Sequence, residues 1–188
     1  NQAQTKHLSS IGFNIKIGSV ENIDELIKNK KIDLITMFHV IEHISDVKET
    51  LIKLKNILNK DGLLVVETPN YDSLDCQLFK KSYWGGYHCP RHWTIFNPES
   101  IKKTMNMVGF EVIKIEYKTG HSFWLYSFHH YLKYKLNLPV LAKFFDPLNS
   151  KIFLIIFTIF DILRIKLGYK TSSMLIYSKI KTLDKTVT

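Results

Sequence analysis

The stretch from residue 32 to residue 67 constrains the fold of this chain more than any other. It begins with the apolar run Ile32–Phe38 and ends just after a second run, Leu63–Val66. Short continuous apolar runs are typical of parallel strands that are buried on both faces. The apolar residues between them recur at helical spacing, at Val47, Leu51, Leu54 and Leu58. This pattern predicts a β-α-β unit with a right-handed crossover.

Polar residues mark both ends of the helix in this unit. Asp46 is expected to cap its start, with Glu49 as the capping-box partner three residues later. The segment Asn59–Gly62 is expected to stop it. Gly62 would then adopt the left-handed conformation that is common at helix C-caps.

The five residues His39–His43 concentrate three ionisable side chains between the first strand and this helix. They spell H-x-x-E-H, the inverted zinc-peptidase pattern, in which two histidines one helical turn apart bind the metal. That interpretation requires the motif to lie within a helix. The strand-like residues before it and the helix start after it favour a strand-to-helix turn. A metal hydrolase using His39, His43 and a distant carboxylate is therefore a remote alternative, and no metal site is predicted.

Two further segments are expected to share one crevice with this turn. In open α/β sheets, ligands bind beyond the carboxyl ends of the strands, where Glu67–Asn70 also falls. The loop from Tyr71 to Asn97 follows, and it is rich in aromatic residues and histidines. Long loops of this kind often carry binding or catalytic residues. The alternative is that the aromatic residues only pack the loop onto the domain.

Four motifs together carry a family resemblance. They are IDLITMFHVIEHISD from residue 32, KDGLLVVETPN from residue 60, YWGGYHCPRHWTIFNPES from residue 83 and MVGF from residue 107. The chain resembles the class I S-adenosylmethionine-dependent methyltransferases over about residues 8–120 and the final strand near residues 172–180. Within that class it is similar to a bacterial group often encoded with polysaccharide and lipid-glycan biosynthesis, and more distantly to the ubiquinone O-methyltransferases.

The resemblance implies a fold, a cofactor and a reaction. The fold is a Rossmann-like α/β sheet of mostly parallel strands, with an antiparallel C-terminal strand and a helical lid insertion. The cofactor is S-adenosylmethionine, and the reaction is methyl transfer to a hydroxyl or amine of a small-molecule, sugar or lipid-linked acceptor. Phe38 and His39 would line the methionine end of the cofactor, and Gly18 and Ser19 would lie near its adenine.

One part of the family pattern has no counterpart in this sequence. The family opens with two strands, a glycine-rich turn and a ribose-binding acid, but here no two glycines form a G-x-G turn. The chain therefore reads as the C-terminal part of a longer protein and is expected to be inactive alone. Residues 2–10 would finish a helix, Gly12 would cap it, and Phe13–Ile17 would form the third strand. A non-catalytic module that binds a membrane or a partner is the alternative function.

The acceptor side of the site is assigned to histidines and aromatic residues. In the resembled family an H-x-P-x-H-like segment lies near the acceptor pocket, and here it reads His88–His92. His43 and His92 are candidates for the general base, because the pKa of histidine, about 6.5, lies close to working pH. For His43, the alternative is a structural role, in which it caps the following helix or hydrogen-bonds a backbone carbonyl. Candidates for acceptor binding are Tyr83, Trp84, His88 and Arg91, the last also open to a structural ion pair.

The domain organisation and the charge suggest where the protein acts. One domain is predicted over residues 1–188, with a core at 1–120 and 171–182 and a helical lid at 121–170 broken at Pro139 and Pro147. The lid contains an apolar run, Ile152–Phe160, that is shorter than the ~20 residues needed to span a bilayer. It either contacts a membrane interface or packs on its own domain.

The net charge of +9 is compatible with nucleic acid, an anionic membrane or an acidic substrate. No nucleic-acid partner is expected, because the lysines are spread along the chain rather than gathered with aromatic residues. Two cysteines and a polar N-terminal segment favour the cytoplasm. The predicted location is therefore cytoplasmic, with peripheral contact at the inner membrane face.

Overall fold

The computed structural model describes residues 2–27, 30–80 and 82–182, so that residues 183–188 of the predicted domain lie outside it. The strands are β1 (Ile32–Phe38), β2 (Leu58–Pro69), β3 (Phe110–Lys118) and β4 (Ser173–Ile180). The helices are α1 (Gln2–Ser10), α2 (Ile23–Ile27), α3 (Val47–Ile57), α4 (Leu74–Phe79), α5 (Pro98–Met107), α6 (His121–His130), α7 (Pro139–Ala142) and α8 (Lys151–Lys166).

The four strands form one sheet in the order β1-β2-β4-β3. Strands β1 and β2 pair in parallel, and β4 pairs antiparallel with both β2 and β3. Strands β1, β2 and β3 therefore run in one direction and the C-terminal strand in the other. This arrangement confirms the predicted Rossmann-like α/β fold, and the predicted β-α-β unit is β1-α3-β2.

Helix α3 shows how the sequence sets local structure. The Asp46 carboxylate accepts a hydrogen bond from the Glu49 backbone N–H at 2.9 Å, which confirms the predicted N-cap. Leu51 and Leu54 are fully buried, whereas Lys53 pairs with Glu49 on the outer face. One apolar stripe thus faces the sheet, as the spacing predicted.

The predicted role of Gly62 at the end of α3 is wrong. The helix ends at Ile57, because Leu58 is already extended and pairs with Ile32 in β1. Gly62 lies inside β2, in an irregular stretch between Leu58 and Leu63, where the register to β1 shifts. A Cβ at Gly62 would come within 2.8 Å of the Leu58 side chain, so glycine permits a close approach here.

The predicted third strand, Phe13–Ile17, is also wrong. Gly12 ends α1 with φ +95°, and its N–H donates to the Ser9 carbonyl, as expected for a cap. The following segment is irregular, and Phe13 and Ile17 are 62% and 76% exposed. None of the described strands pairs with it, and an isolated extended segment has no ladder to stabilise it.

The buried apolar residues in the described part of the chain form two clusters. The larger one joins α3, α5 and the sheet, and its fully buried members include Leu51, Leu64, Ile101, Met105, Phe110 and Ile176. The smaller one joins α4, α6 and the loop between α4 and α5, and its buried members are Cys76, Phe79, Trp84 and Trp124. The candidate site described below is built where this smaller cluster meets the ends of β1 and β2.

The segment from residue 121 to residue 170 is largely helical, as predicted. Helix α6 continues into a π-helical turn, Tyr131–Lys135, and Pro139 begins α7. Helix α8 packs on α6 through Phe157, which stacks on Trp124 with ring centroids 5.4 Å apart. Within the described residues, no helix has the length and apolarity required to cross a membrane.

Candidate functional site

The chain turns sharply at the end of β1. His39 follows the strand with φ +52°, a left-handed conformation that is uncommon for residues other than glycine and often found at functional sites. Its backbone N–H donates to the Glu67 carbonyl of β2 at 3.0 Å. The next residues form a short 3-10 turn, Ile41–His43, before α3 begins. The predicted strand-to-helix turn is therefore confirmed.

Two carboxylates hold the His39 imidazole. Its Nδ1 lies 3.0 Å from Glu42 Oε1, and its Nε2 lies 3.5 Å from Glu67 Oε1. Glu42 is fully buried and its second oxygen accepts from the Thr68 hydroxyl at 3.1 Å. The hydrogen bond to Glu42 raises the pKa of His39, although partial burial opposes this effect. The arrangement stabilises a cationic imidazole at the carboxyl edge of the sheet.

His43 and His92 form a second histidine group, with ring centroids 4.8 Å apart. Nδ1 of His43 lies 3.0 Å from the Arg91 carbonyl, and Nδ1 of His92 lies 2.7 Å from the Gly86 carbonyl. Because a carbonyl oxygen can only accept, each Nδ1 carries the proton, and Nε2 of the neutral ring keeps its lone pair. Burial lowers the pKa of His92, which favours that neutral form.

These residues open onto a cavity of about 820 Å³, a volume typical of small-molecule sites. Six of the eight histidines of the chain line it: His39, His43, His88, His92, His121 and His130. Aromatic side chains form much of the rest: Tyr83, Trp84, Tyr87, Phe123, Tyr126 and Tyr134. The cavity therefore combines apolar ring faces with imidazole donors and acceptors.

The wall of the cavity is fixed by contacts of the loop after α4 with helices α4 and α6. The buried indole N–H of Trp84 donates to Asp75 Oδ2 at 2.6 Å, and the Gly85 N–H donates to the Ser127 hydroxyl at 2.8 Å. A Cβ at Gly85 would come within 2.7 Å of the Phe123 carbonyl oxygen. Glycine is thus required here for the loop to approach the helix closely.

The structure brings six of the predicted site residues together and leaves four outside. The lining includes His39, His43, Tyr83, Trp84, His88 and His92. The lining does not include Phe38, Arg91, Gly18 or Ser19. Phe38 is 54% exposed at the end of β1, and the Arg91 carbonyl, rather than its guanidinium, contacts His43. Gly18 packs against Leu26 in the loop before α2.

Sequence reasoning missed the contribution of α6 and the residue that follows it in the π turn. Four lining residues recur at intervals of four: Ser122, Tyr126, His130 and Tyr134. That spacing places them on one face of a helix, so the pattern was available in the sequence. What the sequence did not indicate is that this face points towards His39 and His43.

Among the described residues, one group of side chains could hold a metal ion. It consists of Glu42, His43 and His92, with candidate ligand atoms within 4.8 Å of one another. Both Glu42 oxygens are already hydrogen-bonded, to His39 and to Thr68. The zinc-peptidase pattern would need His39 and His43 on one helix, and β1 and the turn occupy that position. The geometry does not support the metal-hydrolase alternative.

Comparisons with known proteins agree with this geometry. The model of a methyltransferase domain family matches residues 4–115. No curated protein matches the chain. Among solved structures, a SAM-dependent methyltransferase from Archaeoglobus fulgidus is similar, with a TM-score of 0.55 and 18% identity, covering 95% of this chain and 72% of that one.

Two other solved structures have a comparable likeness. An S-adenosylmethionine-dependent methyltransferase from Clostridium acetobutylicum ATCC 824 has a TM-score of 0.54 and 10% identity, covering 96% of this chain and 71% of that one. Magnesium protoporphyrin IX methyltransferase from Synechocystis PCC 6803, with bound SAH, has a TM-score of 0.50 and 10% identity. The match covers 96% of this chain and 58% of that one. At such identities the likeness is one of fold.

Proposed function

The chain belongs to the methyltransferase domain family, and on that premise we propose that it transfers a methyl group from S-adenosylmethionine to a hydroxyl or amine of an acceptor in the histidine-lined cavity. The observation that carries the proposal is the position of that cavity, at the carboxyl ends of β1 and β2, where open α/β sheets bind their ligands. The SAH bound in the Synechocystis enzyme supports the choice of cofactor.

The described residues fit one end of this cofactor better than the other. His39 is 43% exposed and Phe38 54% exposed at the end of β1, which leaves them accessible to the methionine end. Gly18 and Ser19 are exposed and are our candidates for the adenine end. The described residues supply no glycine-rich turn for the nucleoside half, so this part of the site rests on the family resemblance.

The protein's own contribution to methyl transfer is to align the acceptor and to accept a proton. When bound, S-adenosylmethionine supplies an already activated methyl group. Holding the acceptor atom in line with that group provides much of the rate. A hydroxyl acceptor also loses its proton, and Nε2 of His92 or His43 is placed to accept it. The contacts of Trp84 and Gly85 keep the cavity wall in position during this step.

The lining suggests a class of acceptor. The rings of Tyr83, Phe123 and Tyr126 offer flat apolar surfaces, while the histidines offer hydrogen-bonding groups between them. A sugar or another small hydroxylated molecule, free or linked to a lipid, matches this mixture. Arg91 is exposed at the rim and is our candidate for an anionic group on such an acceptor.

A direct test measures transfer of radiolabelled methyl groups from S-adenosylmethionine into the water-soluble and lipid fractions of a cell extract, using protein produced from its native gene. Replacing His92 by alanine should lower the turnover rate by ~10² to 10⁴-fold, because the proton acceptor is lost. His43→Ala tests the second candidate in the same assay.

His129→Ala is the matched control. The His129 Nδ1 also lies close to a backbone carbonyl, that of Ala142, at 2.9 Å, but the side chain does not line the cavity. Its turnover should equal that of the wild type. If His43→Ala and His92→Ala both retain the wild-type rate, general-base catalysis by these residues is ruled out and alignment alone remains. If neither fraction yields a labelled product, a non-catalytic module of this fold is favoured.

A further inference from the structure

Helix α8 has an unusual distribution of buried and exposed residues. It carries the sequence KIFLIIFTIFDILRIK, and its one buried residue is the charged Asp161. The Asp161 carboxylate accepts from the Gly120 N–H at 2.7 Å and from the Trp124 indole at 3.1 Å. The helix is thus attached to the domain by a carboxylate and by aromatic stacking, while many of its isoleucines remain exposed.

The exposed apolar residues of α8 form one continuous stripe. Its most exposed members are Ile152, Ile155, Ile156, Ile159 and Leu163, and Leu167 continues it just past the end of the helix, with exposed fractions between 49% and 73%. These positions follow helical spacing, so the stripe runs along one face for about 22 Å at 1.5 Å per residue. Lys151 lies at its start, and Arg164 and Lys166 lie near its end. Apolar residues therefore occupy the outer face of α8 as well as the face that packs on α6 through Phe157. Such a distribution is typical of a helix in a buried environment.

The preceding segment continues this surface chemistry. Leu148, Val140 and Phe144 are 84%, 73% and 60% exposed. The segment is joined to α8 because Phe145 stacks on Phe153 with ring centroids 4.6 Å apart. Monomeric proteins rarely expose apolar patches of this extent unless they bind something there. We call the α8 stripe, together with the exposed apolar residues of 136–148, the apolar lid surface.

The charge around the apolar lid surface is strongly positive. Residues 131–170 contain seven basic and two acidic residues, and one of the two acids is the buried Asp161. Six lysines of this stretch are exposed, Lys133, Lys135, Lys143, Lys151, Lys166 and Lys170, and the last of them pairs with Asp72. An apolar face bordered by lysines matches the boundary between acyl chains and anionic headgroups.

We propose that the apolar lid surface docks on an anionic lipid bilayer. A bilayer accepts an irregular apolar surface without shape complementarity, and its headgroups neutralise the surrounding lysines. A second copy of the chain would instead bring two segments of net charge +5 together, and like charges at an interface oppose association. The charge therefore favours lipid over self-association.

Docking would place the cavity close to the membrane. Helix α6 contacts α8 through Trp124 and Phe157, and the same helix supplies Tyr126 and His130 to the cavity. The membrane-facing and cavity-facing elements are thus in direct contact. This binding does not depend on methyl transfer, so it can be tested without a substrate.

The experiment is flotation of the whole protein with vesicles of phosphatidylcholine alone or of phosphatidylcholine mixed with phosphatidylglycerol. We expect the protein to float with the mixed vesicles and to be released by high salt, because salt shortens the reach of the charges to well below 10 Å. Ile159→Glu should lower the partition coefficient by about tenfold or more, the loss expected when one buried isoleucine leaves an apolar environment.

Ile113→Glu is the matched control, because Ile113 is exposed to the same extent as Ile159, 53%, but lies on β3. It should bind vesicles like the wild type, and both variants should retain the wild-type circular dichroism spectrum. Equal flotation of wild type and Ile159→Glu would overturn the proposal. A wild-type protein that stays unbound but forms a dimer that Ile159→Glu disrupts would overturn it in favour of a second copy.

Discussion

Helices α3 and α8 use apolar residues in opposite ways. Helix α3 buries Leu51 and Leu54 to 0% and 1% exposure against the sheet and leaves Lys48 exposed on its outer face. Helix α8 buries a carboxylate and leaves Ile152 73% exposed. The difference teaches that apolar content does not fix which face is buried. Helix α3 has a sheet to cover, whereas α8 contacts the domain along a narrow line of aromatic rings.

Two buried carboxylates that accept hydrogen bonds from tryptophan indoles hold the helical region in place. Trp124 donates its indole N–H to the buried Asp161, and Trp84 donates its own to the buried Asp75. A buried carboxylate is unfavourable unless it is hydrogen-bonded, so each indole offsets part of that penalty. Burial raises the pKa of Asp161, although the hydrogen bonds from Gly120 and Trp124 oppose the shift. The position of the helical region on the domain therefore depends on a few hydrogen bonds rather than on a large packed area.

The largest expected difference between the two helices is in stability. Leu54→Ala in α3 should lower the free energy of unfolding by ~2 to 5 kcal/mol, because it opens a cavity in the packed core. Ile156→Ala in α8 should change it by no more than ~0.5 kcal/mol, because that side chain is 49% exposed. Urea denaturation followed by circular dichroism measures both. Similar losses for the two variants would mean that α8 is covered in the free protein.

A smaller loss is expected at the polar anchor. Asp161→Ala should destabilise the protein by ~1 to 3 kcal/mol, because the Gly120 and Trp124 N–H groups lose their buried acceptor. Asp61→Ala, at an exposed carboxylate in β2, should stay within ~0.5 kcal/mol of the wild type. If Asp161→Ala were as stable as Asp61→Ala, the carboxylate would not be what attaches α8 to the domain.

The smallest expected effect is a difference in pKa between a histidine of the sheet region and a histidine of the helical region. The hydrogen bond to Glu42 raises the pKa of His39, whereas burial lowers the pKa of His130 in α6. Because the folded pKa of His39 exceeds its unfolded value, its contribution to stability is present below about pH 6.5 and is lost as the pH rises through the folded pKa. His39→Gln should therefore destabilise the protein more near pH 6 than at about pH 8.5.

Imidazole NMR titration checks the two directions separately. The His39 resonance should titrate above the ordinary histidine value and that of His130 below it. Glu42→Gln serves as the control, because it removes the main cause of the His39 shift while leaving His130 in place. An unchanged His39 pKa in that variant would show that Glu67 or another group dominates.

Much of the sheet region could be predicted from the sequence because its signals are local. The run Ile32–Phe38 became β1 with the predicted bounds, and the cap at Asp46 needs only an N–H three residues away. The site was predictable in part for the same reason, since His39 and His43 lie in the turn that follows β1. The position of Gly62 inside β2 was not predictable, because the end of α3 depends on pairing between Leu58 and Ile32.

By itself, the sequence determined the order of strand, turn, helix and strand over residues 32–69, since periodicity and capping act between residues only a few positions apart. The tertiary structure alone decided which side chains meet. It brought His130 of α6 to the cavity of His43, placed His39 between Glu42 and Glu67, and left the isoleucines of α8 facing outward. These contacts join segments up to about a hundred residues apart, and no local pattern encodes the relative placement of such segments.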